Sequence, residues 1–181
     1  VEEGNTTVGN IQATDVENES ITFTLGGDDA ADFELTTTGA LTFASAPDFE
    51  TPADADTNNI YNILVTATDT TNTRVQAITI TVTDANDETP VLSVSTPYSV
   101  AENTTSVGTV TASDADANST ITYTLSGTDA AKFDINSASG AISFVSAPDF
   151  ETPGSGTTPS TNAYSLNVVA SDGTNSGTEA I

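Results

Sequence analysis

TDANDETPVL, residues 83–92, carries three carboxylates, Asp84, Asp87 and Glu88, and one carboxamide, Asn86, with no Lys or Arg to balance them. On its upstream side ITITVT alternates apolar and polar residues, and on its downstream side Pro90 opens another apolar run. The stretch therefore joins two strands. Like charge collected at such a joint is either a solvated turn or a place where something positive binds.

The whole chain repeats that imbalance. Its 181 residues include 26 acidic and 2 basic ones, a net charge of −24. Nucleic acid and anionic membrane surfaces are excluded as partners, because both need clustered Lys and Arg. A fold with this charge must neutralise it or lose stability to self-repulsion, and divalent cations are the obvious neutraliser. Cys and His are absent, so disulfides, thiolate chemistry and the usual zinc sites are excluded, together with the commonest general base. No apolar run approaches the roughly 18 residues of a membrane-spanning helix, so no membrane insertion is expected within this segment. The sequence begins in mid-pattern, so any leader is expected outside it.

Self-comparison organises the rest. VEEGNTTVGNIQATDVE recurs as VAENTTSVGTVTASDAD, ITFTLGGDDAADFEL as ITYTLSGTDAAKFDI, GALTFASAPDFETP as GAISFVSAPDFETP, and NIYNILVTATD as NAYSLNVVASD. The offset grows from 99 residues at Glu3/Glu102 to 103 at Tyr61/Tyr164, as small loop insertions between homologous units require. The expected organisation is a first repeat at 1–83, a linker at 84–90 and a second repeat at 91–181. The first copy lacks its opening strand and the second lacks most of its closing one, as in a fragment of a longer array. Within each copy the period is two: Tyr61, Ile63, Val65 and Ala67 alternate with polar or exposed positions, and Tyr164, Leu166, Val168 and Ala170 repeat the pattern. Short strands between Gly, Asn, Asp and Pro turns predict an all-β sandwich of about seven strands per copy. The one candidate helical turn is DAADF or DAAKF. Phe23, Phe33, Phe43, Tyr123, Phe133 and Phe144 are expected in the cores, with Phe49 and Phe150 packing beside them.

Acids recur at the same stations, always at strand ends. These are Glu3 and Glu102; Asp15-x-Glu17 and Asp114-x-Asp116; Asp48 and Glu50 or Asp149 and Glu151 within PDFE; and Asp69 and Asp172. With VAEN, SDAD, PDFE, YSLNVVASD and above all DANDETP, the chain resembles the cadherin repeat in the form found in large bacterial surface proteins, over essentially its whole length. The resemblance implies tandem Greek-key, immunoglobulin-like β-sandwiches that bind about three Ca2+ between successive repeats. The ligands it implies are Glu3, Asp48 and Glu50 from the first copy; Asp84, Asn86 and Asp87 from the linker, with the carbonyls of Ala85 and Glu88; and Asp114, Asp116 and Asp172 from the second, with a carbonyl near Asn118. Eight carboxylates would face a formal +6. Asp15, Glu17 and Asp69, and likewise Glu102, Asp149 and Glu151, are implied as partial half-sites. Departures from the family pattern are Glu17 in place of Asp, Gly4 in place of Asn, and Glu88 in place of the last linker Asn.

The resemblance also implies an extracellular location, at the cell surface or secreted, and a calcium-stiffened stalk or adhesion segment whose partners are calcium and neighbouring repeats. Direct binding of a partner, homophilic or glycan, and assembly into a fibre by strand completion are the alternatives. An EF-hand does not fit, because counting from Asp114 puts Ser119 and Leu125 where Gly and Glu are needed. Asp48 and Glu50 could be read as a glycosidase pair, but no His, Trp or basic residue shapes a pocket around them, and no enzyme is expected. The Thr rows fit the solvent face of strands. Sequons at Asn5, Asn18, Asn103 and Asn118 are frequent by chance in so Thr-rich a chain.

Overall fold

The computed structural model describes residues 1–117, 119–156 and 160–181. The chain divides into two compact units, Val1–Ala85 and Asn86–Ile181. Among the described residues the only helical segments are two single 3-10 turns, Ala30–Asp32 and Ala130–Lys132, at the DAADF and DAAKF positions. No helix among them is long and apolar enough to cross a membrane.

The first unit contains β1 (Thr7–Asn10), β2 (Thr22–Gly26), β3 (Phe33–Leu35), β4 (Ala40–Phe43), β5 (Ile60–Thr68) and β6 (Thr73–Thr81). They form two antiparallel sheets, β1-β4-β3 and β2-β5-β6. A parallel bridge between Glu2 and Thr83 is what stands for an opening strand. Alternation decides which side chains meet: Tyr61, Ile63 and Val65 of β5 are buried while Asn62 and Leu64 face out. Phe33 and Phe43 stack tilted at 4.4 Å, and Tyr61 sets its edge against both at 5.6 and 5.1 Å. Ile80 and Val82 close the core from β6 and the residues after it, and Phe23 packs at its margin.

The second unit contains β7 (Val91–Ser93), β8 (Ser106–Thr109), β9 (Thr111–Ser113), β10 (Thr122–Ser126), β11 (Phe133–Ile135), β12 (Ala141–Phe144), β13 (Asn167–Ser171) and β14 (Ser176–Ala180). The sheets are β8-β12-β11 and β10-β13-β14, with β7 paired to β9. β8 and β9 flank Val110 and act as one strand that changes partners there, so the unit has the seven strands expected. The aromatic triad returns as Phe133, Phe144 and Tyr164, at 4.3, 5.6 and 5.1 Å. Gly39 and Gly140 have φ of +89° and +70°, and a Cβ there would lie 2.1 and 2.2 Å from the carbonyl oxygens of Ile11 and Val110. Only glycine fits this turn into β4 and β12.

The two units differ at their last strand. β6 pairs with β5 over nine residues, whereas β14 pairs with β13 over five. Where the first unit places Ile80 and Val82, the second has a cavity of about 760 Å³, lined by residues that include Val100, Phe144, Tyr164, Leu166 and Ile181. Phe150 faces this cavity and is 66% exposed, so the expectation that it packs like Phe49 is corrected. Phe49 does pack, because Val82 and its neighbours complete the core beside it.

A buried Asp holds one long loop in each unit. Asp29 accepts hydrogen bonds from the N–H groups of Ala55 (2.8 Å) and Asn62 (2.5 Å). Asp129 accepts from those of Gly156 and Ser165, the latter at 2.9 Å. Both aspartates are essentially solvent-free. Removing such an acceptor strands two donors, at about 1–3 kcal/mol. Asp29→Ala should lower the denaturant midpoint of the first unit accordingly, and an unchanged midpoint would contradict the role. A second expectation concerns the cavity. Appending Thr-Ile-Thr-Val-Thr-Asp, the sequence of residues 79–84, after Ile181 should raise the melting temperature by about 4–8 °C per kcal/mol of added stability. The same extension with both apolar residues changed to Asp should not.

Candidate metal centres

In the second unit the predicted acids meet. Carboxylate oxygens of Asp114, Asp116 and Asp172 lie within 4.8 Å of one another. β9 ends at Ser113 and β13 at Ser171, so Asp114 and Asp172 each stand just past the C-terminal end of a strand. Asp116 is buried. Its carboxylate accepts the N–H of Glu88, at 3.3 Å to Oδ1 and 3.1 Å to Oδ2, and its own N–H donates to Asp114 Oδ1 at 3.1 Å. Asp172 Oδ1 accepts the N–H groups of Thr174 (2.6 Å) and Asn175 (2.7 Å), which fixes its rotamer. Asp114 Oδ2 is buried and accepts no hydrogen bond from the described residues.

Asn86 completes the cluster. Its carboxamide reaches Asp116 Oδ2 (3.2 Å) and Asp172 Oδ2 (3.1 Å). Two arrangements suit this contact: the amide donates its N–H2 to both carboxylates, or it turns its oxygen to them and a cation sits among the oxygens. Carboxylates, a carboxamide oxygen and an orphaned buried oxygen are the donor chemistry that a hard divalent cation takes. Calcium fits these residues.

In the first unit Glu3 is buried and both its oxygens are engaged: Oε1 accepts the Ala85 N–H at 2.8 Å and Oε2 the Phe49 N–H at 2.6 Å. A carboxylate oxygen of Glu50 lies within 4.8 Å of one on Glu3, and likewise of one on Asp84. Asp48, by contrast, belongs to no such group among the described residues. Its Oδ1 accepts the Thr51 N–H at 2.8 Å. The Thr51 hydroxyl and N–H hold its carboxyl below the usual carboxylate range. The Thr152 hydroxyl does the same for Asp149, and the Thr71 and Asn72 N–H groups for Asp69. All three are thus ionised at neutral pH.

The half-sites are partly as expected. Glu102, Asp149 and Glu151 bring their oxygens within 4.8 Å, and all three are exposed. At the other set, Asp15 and Asp69 meet Glu19, and Glu17 is not in the group. Asn18 has a φ of +62°, which turns the chain so that the Glu19 N–H reaches Asp15 Oδ2 at 2.8 Å. Glu17 is left exposed. Asp87 and Glu88 are also exposed, and Asn118 lies outside the described residues. The Gly4 departure has a structural reason. Gly4 has a φ of +72° and its counterpart Asn103 one of +62°, and each donates its N–H to a proline carbonyl, Pro47 or Pro148, at 2.9 Å. Gly and Asn are the residues that tolerate this conformation. Sequence reading missed Asp29, Asp129 and Glu19; the first two stand at the same station in both copies, which was the available signal.

Residues 96–180 match the model of the cadherin domain. Human Protocadherin-15 is 36% identical over 126 residues, covering 64% of this chain and 6% of that protein. The Fat-like cadherin-related tumor suppressor homolog of Drosophila melanogaster is 34% identical over 144 residues, covering 76% of this chain and 3% of that protein. The chain therefore spans a small part of the curated relatives it matches. The crystal structure of human Protocadherin-24 EC1-2 (Form II) superposes with a TM-score of 0.74 at 20% identity, over 100% of this chain and 87% of that one. Drosophila N-cadherin EC1-4 gives 0.70 at 26% identity, over 98% of this chain and 44% of that one. Cadherins are non-enzymatic adhesion proteins, in keeping with the expectation of no catalytic site. With the sequence repeat, the paired sandwiches and these matches together, the chain belongs to the cadherin family and is built of cadherin repeats.

Proposed function

We propose that this chain is a calcium-stiffened segment of a larger extracellular protein, at the cell surface or secreted, which holds or positions adhesive parts. The observation that carries the reading is the convergence of Asp114, Asp116 and Asp172 beside the Asn86 carboxamide in the second unit. The linker is tied into each unit separately, through Ala85 to Glu3 and through Glu88 to Asp116. Calcium is proposed to bind there through Glu3, Asp48, Glu50, Asp84, Asn86, Asp87, Asp114, Asp116 and Asp172, with backbone carbonyls that include Ala85 and Glu88, at about three ions per junction. Cadherin domains bind calcium as a family, which supports this. The ion would replace repulsion among the carboxylates by shared coordination and so fix the joint. Extracellular modules hold calcium at roughly 10⁻⁴–10⁻³ M, matched to the fluid outside cells.

Small-angle scattering and thermal melting, each in calcium and in chelator, test the reading. Calcium should narrow the distribution of interatomic distances and raise the melting temperature. Asp116→Asn should weaken both responses. Curves indifferent to calcium would leave the acidic joint a solvated hinge.

A second reading, assembly by strand completion, is favoured by the cavity beside Tyr164 and Leu166. It predicts a sedimentation coefficient that rises with protein concentration, and a constant coefficient would remove it.

A further inference from the structure

The PDFE loop is held from both sides. On one side the Phe49 N–H donates to Glu3 Oε2 at 2.6 Å. On the other, Asn59 Nδ2 donates to the Phe49 carbonyl oxygen at 2.8 Å. The second unit repeats the arrangement: the Phe150 N–H donates to Glu102 Oε2 at 3.1 Å and Asn162 Nδ2 to the Phe150 carbonyl at 3.0 Å. Phe49 and Phe150 each lie between the two acids of the motif, Asp48 and Glu50 or Asp149 and Glu151. A carboxylate and an amide thus grip the backbone N–H and carbonyl of the residue that the two acids flank.

Asn59 is itself well anchored. It is buried and sits at a φ of +64°. Its N–H donates to Asp54 Oδ1 at 3.1 Å, and its carbonyl accepts the Val82 N–H at 2.9 Å, two residues before Asp84. One residue therefore ties the PDFE loop to the strand that runs into the linker. We infer that Asn59 is a positioning residue for calcium: through the Phe49 carbonyl it orients Glu50 toward Glu3 without touching the ion itself. Asn162 holds the same place for Glu102, Asp149 and Glu151. Outer hydrogen-bond partners of this kind commonly govern metal affinity as strongly as a weak ligand does. The inference rests on the calcium reading of Glu3 and Glu50.

The test is Asn59→Asp. The change keeps shape and tolerates the positive φ. It replaces the donor that faces the Phe49 carbonyl with an acceptor, and it adds a negative charge. Charge alone would tighten calcium binding. Positioning predicts the opposite, a fall in affinity of about tenfold by calorimetric titration at 25 °C. Asn59→Gly, which suits the backbone and removes the amide, should lose affinity in the same direction. Melting in chelator reports any general loss of stability separately. Wild-type protein that binds calcium while both variants bind as well or more tightly overturns the inference alone. Wild-type protein that takes up no calcium overturns it together with the reading beneath it.

Discussion

The carboxylates of Asp114, Asp116 and Asp172 meet within 4.8 Å of one another beside the Asn86 carboxamide, and much else in the molecule serves to bring such groups together. Carboxylates this close repel unless a cation or a donor intervenes. A chain with 26 acids and 2 bases has almost no cationic side chains to intervene. The acids are nonetheless held in place. Backbone N–H groups hold Asp172, Asp116, Glu3 and Asp48 in place, and at Asp172 both bonds go to Oδ1. Such grips fix the direction of each carboxylate.

The sandwich supplies the rigidity this needs. Strands β5 and β13 carry most of the buried residues of their sheets, and Asp69 and Asp172 follow their C-terminal ends. The aromatic triads lock the facing sheets. Side chains that alternate into a packed core cannot slip by one residue without turning every apolar group to solvent. The register that buries Val168 therefore also sets where Asp172 stands.

Fold class, the aromatic core and the seven-strand pattern were legible in the sequence, because period-two alternation is a direct image of burial and two copies confirm each other. The Asp114, Asp116 and Asp172 cluster was legible through the family resemblance. Glu19 was not, because it depends on Asn18 entering a left-handed conformation. Nor was the exposure of Phe150, since covering it takes residues that in the first unit come from a distant strand. Asp29, Asp129 and Asn59 looked like ordinary turn residues. Their partners lie up to 36 positions away and only the fold brings them near.

The central claim is that the gathered carboxylates are ligands and not a solvated turn. A high-resolution crystal structure grown in millimolar calcium tests it most directly. The account predicts an ion about 2.3–2.6 Å from oxygens of Asp114, Asp116 and Asp172, with the Asn86 carboxamide oxygen turned toward it. No ion, and an Asn86 amide turned to donate its nitrogen to Asp116 and Asp172, would contradict it.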